Sequence, residues 1–498
     1  MEKRTRRDSG SVMVFIIALV LIAAVVLFAG TTLVVSSNRA IHKVTTIKQA
    51  HYIAEMGIEK IVSDPFVIRN ALAYGEHEES SGSSIPLENN KSGTYRVKVT
   101  YNSNEKTIRI ESTGEVKNNN SEKLAQKTIT CTFRLSQGPF YDIVLQNAIT
   151  TAANLTSGKV YIYLDEGVNQ PANVYSGAEI TNIRGEIPGS VFAQGSVVVD
   201  NKTVVMGDVI ARGSITLNNS SKIEGKVISA ESYVDVNNNV VVNGDIVAYG
   251  TDDKGYSVYL NNATVGAIYT SQGSSQVKTN NSSYTSINTI SSSSYPPVYE
   301  VPQQNLPTIT DEIRAMWMEK ASEGETYDSG LTVNNGQTLT LDGNTLIEGD
   351  LVVKQNATLN IKEGAVIYVT GRILIENNAS ICVEDTNGDE KTLFSTLITE
   401  DYFDIANNAI PEALSLVALG PSTSYLKNNS VTTGPIFVPN GNLELSNNAV
   451  VYGGVFAKSI PKIGNNMEIY FNPFNNLSLP PTITDTKKLL ELLEWSES

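Results

Sequence analysis

Hydrophobic and polar positions change their period four times along the chain, and each change marks a new element. From Val12 to Val35 no charged residue occurs, in VMVFIIALVLIAAVVLFAGTTLVV. At 1.5 Å per residue such a run, as a helix, is long enough to cross a ~30 Å hydrocarbon layer. Lys3, Arg4, Arg6 and Arg7 precede it. Basic flanks stay cytoplasmic, so the pattern predicts an inside N-terminus and an extracytoplasmic body. A cleaved secretory signal has a shorter apolar core, of about 7–15 residues, and fits less well. The helix is predicted to continue through residues 36–63, where Ile41, Val44, Ile47, Ile53, Ile58, Ile61 and Val62 form a stripe near helical spacing. Asp64-Pro65 ends it, because the residue before proline avoids the α region.

The period then becomes two. Tyr95, Val97, Val99 and Tyr101 alternate with polar residues, as do Ile108 and Ile110, then Ile129, Cys131, Phe133 and Leu135. Three alternating runs with polar turns predict a small antiparallel meander. His77 stands in an acidic stretch with Glu76, Glu78 and Glu79, read as a solvated loop.

A longer repeat follows. Gly189, Gly207, Gly225 and Gly244 recur, with Asn201, Asn219 and Asn238 in step. Ala193, Val199, Val205, Ala211, Leu217 and Ile223 are six apart, and Val191, Val197, Val209 and Ile215 lie two positions ahead of members of that series. Two inward side chains per six-residue side, and three sides per turn, predict a triangular parallel β-helix. Its corners are assigned to glycine, free in φ/ψ, and to asparagine, which tolerates the left-handed region and can stack into ladders. A second, less regular array shows Ile347 and Val369 before Gly349 and Gly371, with Asn pairs at 334–335, 377–378, 407–408, 428–429 and 447–448. Between the arrays, residues 282–307 are rich in Ser, Tyr and Pro, and Asp311 to Ala321 reads as a short helix with Thr310 or Asp311 as N-cap. Asp485 to Trp495 reads as an amphipathic helix that caps the solenoid.

The predicted fold is therefore mainly β: a basic leader (1–10), a transmembrane and amphipathic helix (11–64), a small antiparallel sheet (65–138), a β-helix in two parts (139–295 and 331–482), a Pro-rich linker with a short helix (296–330) and a C-terminal capping helix (483–498). The β-helix is expected to be right-handed.

Composition sharpens the picture. The net charge is −15, which argues against nucleic acid as a partner. Up to Lys48 the chain carries seven basic side chains and two acidic ones, so a basic end joins an acidic body. The only cysteines are Cys131 and Cys382, too few for a disulfide framework or a zinc cluster, and both lie on predicted strands. Asparagine is abundant and much of it stands in adjacent pairs, which suits an all-β surface protein. The three histidines are His42, His51 and His77, so the solenoid holds no Ser-His or Cys-His pair. Asp385, Asn387 and Asp389 begin like a calcium loop, but Glu390 replaces the expected Gly and Thr396 the expected Glu, so an acidic turn is the simpler reading. Asp252-Asp253, between Gly250 and Gly255, reads as a hairpin tip. No catalytic residue and no cofactor is assigned, and the chain is expected not to be an enzyme.

Two resemblances follow from these residues. The basic leader with Gly10, Ser11 and the apolar run resembles a class III prepilin leader, and Ala50-His51-Tyr52-Ile53-Ala54-Glu55-Met56-Gly57-Ile58-Glu59 resembles the "A-x-x-A-E-A-G-I-E" segment of PilX-type minor pilins, with Met56 in place of Ala. Ile110-Glu111-Ser112-Thr113-Gly114 resembles the "I-x-S-T-G" strand end of the same group. This implies cleavage between Gly10 and Ser11 and assembly with other pilins or pilus components. Phe15 stands where major pilins carry glutamate, which resembles the minor subgroup. The solenoid repeats resemble polymer-forming bactofilins in architecture. Together they imply a membrane-anchored pilin-like protein displaying a β-helix at a filament tip or cell surface, for surface structure or for adhesion to a ligand or polysaccharide. The alternatives are a membrane-tethered polymer-forming scaffold and a surface polysaccharide-active enzyme.

Overall fold

The computed structural model describes residues 9–63, 76–81, 84–87, 91–102, 107–135, 147–156, 158–164, 171–291, 295–296, 298–304, 306, 308–384, 395–412, 414–472 and 490–497. The chain divides into two units: Met1–Ser63 with Glu78–Arg134 and Leu492–Ser498, and Asp64–His77 with Leu135–Glu491.

The first unit is a helix on a sheet. Helix α1 (Ser9–Ser63) runs unbroken over its whole length. Its last third buries Ala50, Ile53, Ala54, Ile58 and Ile61, while Ile41, Val44 and Ile47 of the same stripe stay exposed. The sheet order is Glu76–Ser80, Lys91–Asn102, Thr107–Asn118, Lys123–Leu135 and Leu490–Glu497, with Ile85–Leu87 beside Lys91–Asn102. The predicted meander is present: Tyr95, Val97, Val99, Ile108, Ile110, Ile129, Cys131 and Phe133 form its buried face, and Val99 opposes Ile110, which opposes Cys131.

Two expectations are corrected in this sheet. Residues Glu76–Ser80, including His77, form an edge strand and not a loop. The C-terminus is a strand, Leu490–Glu497, hydrogen-bonded beside Lys123–Leu135, and no cap of the solenoid. Leu490, Leu492, Leu493 and Trp495 fit either period over so short a stretch, and an available sheet edge decides for the strand. Residues 485–489 of the expected helix lie outside the described residues.

The second unit is a parallel β-solenoid of about 14 turns. The predicted inward series is present in full: Ala193, Val199, Val205, Ala211, Leu217 and Ile223 are all completely buried. Val197 pairs with Ile215, Val199 with Leu217 and Val205 with Ile223, each one turn further along the chain. A buried Val or Leu at each such position contributes roughly 1.5–3 kcal/mol, repeated down the column. In the second array Ile347 pairs with Val369, the longer turn expected there.

The roles of glycine and asparagine separate. Asn201, Asn219, Asn238, Asn262 and Asn281 have φ between 45° and 59°, as do Asn356, Asn378, Asn408, Asn429, Asn448 and Asn466. Their amides form the expected ladders: Asn219 Nδ2 donates to Asn201 Oδ1 at 3.2 Å, Asn281 to Asn262 at 2.8 Å and Asn448 to Asn429 at 3.0 Å. The repeating glycines of the first array are not the left-handed corners. A Cβ at Gly225 would stand 2.5 Å from the Gly207 carbonyl oxygen, and one at Gly244 would stand 2.3 Å from that of Gly225. They are glycine because successive turns touch backbone to backbone there.

The order of turns in the column differs from the order along the chain. Val455 pairs with Ile149, and Met467 to Phe471 pair with Val160 to Leu164. The last turns of the second array thus stack on the first turn of the first. Tyr452, Tyr470 and Tyr163 stack across this junction, with ring centroids 4.6 and 5.1 Å apart. One continuous column results, and the residues between the arrays must return along its side.

They do so over an outward ladder that is apolar in both arrays. Tyr368, Ile398, Val417, Phe456, Tyr175, Ile210, Ile228 and Val247 are buried although neighbouring strand residues fill the interior. Tyr295, Tyr299 and Val301 pack on Phe192, Ile210, Ile228, Val247 and Tyr269. The Tyr295 hydroxyl donates to Asp245 at 2.7 Å, Gln194 donates to the Pro302 carbonyl, and the Gln304 backbone N–H donates to the Tyr175 hydroxyl. Helix α2 (Asp311–Ser322) continues the strap, capped by the Thr310 side chain as expected. It buries Ile313, Trp317 and Ala321, and Arg314 pairs with Glu400 at 2.6 Å. The stretch expected to be a linker is therefore a strap held along the solenoid's flank.

Candidate functional site

The residues of the two pilin-like motifs meet each other. Ala50, Ala54 and Gly57 lie at i, i+4 and i+7 of α1 and face the sheet. A Cβ at Gly114 would stand 2.1 Å from the Ala50 carbonyl oxygen and 2.6 Å from the Ala54 nitrogen, and one at Gly57 would stand 2.4 Å from Ser112 Oγ. The helix segment Ala50–Gly57 and the strand end Ser112–Gly114 are thus two sides of one seam, smooth enough for helix backbone to touch strand backbone. Met56 is half-exposed, which is why that position accepts a side chain larger than alanine.

Ahead of this seam the helix carries Leu19, Leu27, Phe28, Leu33 and Val34 more than half exposed. Among the described residues no helix is long and apolar enough to cross a membrane. Many side chains of Val12–Val35 lie outside the described set. Gly10 and Ser11 fall in the first turn of α1.

The calcium-like Asp385, Asn387 and Asp389 lie outside the described residues. Among the described residues no group of His, Cys, Asp and Glu could hold a metal. Cys131 is fully buried, and burial pushes its thiol up to about 11. Cys382 faces outward from its strand and is partly exposed; burial and nearby Glu412 and Glu384 also raise its thiol.

Asp252-Asp253 is a turn tip but not that of a hairpin, because the strands on either side, Ile246–Ala248 and Val258–Asn261, pair in parallel with neighbouring turns of the solenoid. Asp252 Oδ1 accepts from the backbone N–H groups of Lys254 at 2.9 Å and Tyr256 at 2.8 Å, and Gly255 has φ 85°. This turn is one wall of a cleft with Tyr233, Asp235, Tyr259 and Lys278. Burial, with a smaller contribution from Asp252, raises the Asp235 carboxyl above the usual range against the hydrogen bond from Asn237. Sequence reasoning misses this cleft. Its residues are outward positions of successive turns, and only the register brings them into line.

Comparison with known proteins adds little to this geometry. A family described as "Domain of unknown function (DUF7305)" matches residues 299–473, which span part of the strap, α2 and the second array. No curated protein matches the chain. The competence-associated pilin ComZ from Thermus thermophilus is 13% identical, with 91% of this chain and 98% of that chain covered, at a TM-score of 0.21. An ice binding protein from an Antarctic Flavobacteriaceae bacterium is 11% identical, with 68% of this chain and 99% of that chain covered, at a TM-score of 0.20. Scores this low carry no argument about fold or function.

Proposed function

We propose that the chain is a pilin-like protein, anchored in the cell membrane through α1, that holds its solenoid outside the cell as a non-catalytic display domain. The observation that carries this reading is the division of labour along α1. Its last third is fixed to the sheet through Ala50, Ala54 and Gly57, while Leu19 to Val35 expose apolar side chains at every described position but the small and hydroxylated ones. Such a surface is unstable in water and suits lipid first and the helices of other pilins or pilus components afterwards. The basic leader supports an inside N-terminus. The solenoid, with its polar Asn ladders, is the part offered to the surroundings, for surface structure or for adhesion.

N-terminal sequencing of the protein extracted from membranes tests the reading. Ser11 as the first residue, dependent on a prepilin peptidase and abolished by Gly10→Leu, is the expected result. An intact Met1, or a cut near Ala29 or Ser36, overturns it.

A further inference from the structure

One part of the solenoid breaks its own repeat. Ile215 pairs with Val234, Val234 with Val258 and Val258 with Val277, and the middle step is five positions longer than the steps on either side. The extra length is the turn around Asp252–Gly255, which rises beside the outward face. On that face the register aligns Asp235 with Tyr259 and Tyr259 with Lys278, at roughly the 4.8 Å spacing of neighbouring strands. A carboxylate, an aromatic ring and an ammonium thus stand in a row. Tyr256, from the inserted turn, joins them: Lys278 Nζ lies 5.5 Å from the ring centroids of both Tyr256 and Tyr259. Together with Tyr233 they line a cleft of about 410 Å³.

The chemistry of the lining is selective. Asp235 Oδ1 is shielded from solvent and accepts no hydrogen bond. A shielded acceptor in that state is costly unless something donates to it, and more so when it carries charge. The Asp252 Oδ1 atom is already used by its own turn. The cleft offers carboxylate oxygens of Asp235 and Asp253, aromatic surface and the ammonium groups of Lys254 and Lys278 side by side. Hydroxyl donors on an otherwise apolar C–H face meet all three demands, and a pyranose ring has that composition.

We propose that the Asp235–Tyr259–Lys278 row and the 252–256 turn form a saccharide-binding subsite for a pyranose unit of a surface glycan. Asp235 accepts from ring hydroxyls, the tyrosines cover the C–H face, and Lys278 donates to a ring or hydroxyl oxygen. The inference deepens the display reading by naming what the solenoid engages, but its test does not depend on the anchor or on a filament.

The full chain, in a zwitterionic detergent without a sugar head group, is titrated with cellotetraose and with the N-acetylglucosamine tetramer and followed by saturation-transfer NMR. Binding of at least one of them is expected, weakened tenfold or more by Tyr259→Ala and by the near-isosteric Asp235→Asn. Tyr425→Ala, an outward tyrosine elsewhere on the solenoid, should leave it unchanged. Circular dichroism and thermal melting check the fold of each variant; Asp235→Asn keeps the test alive where Tyr259→Ala fails to fold. The proposal is overturned by no binding of either oligosaccharide, by undiminished binding in Asp235→Asn, or by an equal loss in Tyr425→Ala.

Discussion

At the scale of the residue, asparagine opens each repeating left-handed corner of the first array, followed by Lys202, Ser220 or Asn239, and the repeating glycines, to which the sequence assigns these corners as well, do not fill them. Asn219 has φ 55° and donates to Asn201 while accepting from Asn238. The side chain both tolerates the left-handed backbone and ties three turns together. Asn219→Ala should therefore cost about 1–2 kcal/mol, from the left-handed penalty and the lost ladder bonds. Asn219→Gly, which removes the ladder bonds but not the permissive backbone, should cost less. Thermal melts of the two variants check the order, and a smaller loss for Ala than for Gly would refute it. Cys131 gives a second residue-scale test. Its thiol is raised to about 11 by burial, so at pH 8 only about one molecule in a thousand carries the reactive thiolate. Native protein treated with iodoacetamide at pH 8 should leave Cys131 unmodified, and the rate should rise with pH up to that value. Rapid labelling at pH 8 with the fold intact would show the site to be open.

At the scale of the element, the small sheet and the turns of the solenoid are legible in the sequence because burial imposes a period. Val97, Ile110 and Cys131 alternate, and Val199, Leu217 and Val205 recur by six, since each must point inward. The strap's apolar partners are less legible. Ile210 and Ile228 look inward by hydrophobicity but face outward beneath Tyr295 and Tyr299, a contact between segments far apart in sequence. The C-terminal strand reads as a helix for the same reason: so short a segment takes its conformation from the edge it meets. The saccharide cleft depends on register across turns of unequal length, which no local pattern carries. The seam itself makes a sharp prediction. At Gly114 an added side chain meets helix backbone, which cannot swing aside. Gly114→Val should cost several kcal/mol, in the range of overpacking with no relaxation, and should lower the melting of the helix–sheet unit. Thr113→Val, on the alternate face of the same strand, should change it little. Equal effects would mean that α1 is not held through this seam.

At the scale of the whole molecule, the chain leaves the small sheet at Leu135, builds the solenoid and returns to the same sheet at Leu490. The solenoid is thus an insertion between two adjacent strands, and its turns are stacked in an order that the chain does not follow. Stability in such a column is mainly a sum over neighbouring turns, so the position of a lesion should decide what loosens with it. Leu217 stacks between Val199 and Val236, all from the first array. An aspartate there, buried without a partner, costs several kcal/mol; Asn218→Asp, outside the inward phase, should cost within about 1 kcal/mol. Ile469 stacks on Ile162, across the junction of the two arrays. Hydrogen exchange followed by mass spectrometry separates the cases. Leu217→Asp should expose strands 197–199 and 234–236 together and leave 345–375 protected. Ile469→Asp should expose 467–471 and, with it, 160–164, although most of the solenoid's sequence lies between them, while both 209–229 and 345–375 stay protected. Loss of protection at 467–471 alone would mean that the last turn does not rest on the first, and that the two arrays are separate solenoids rather than one column.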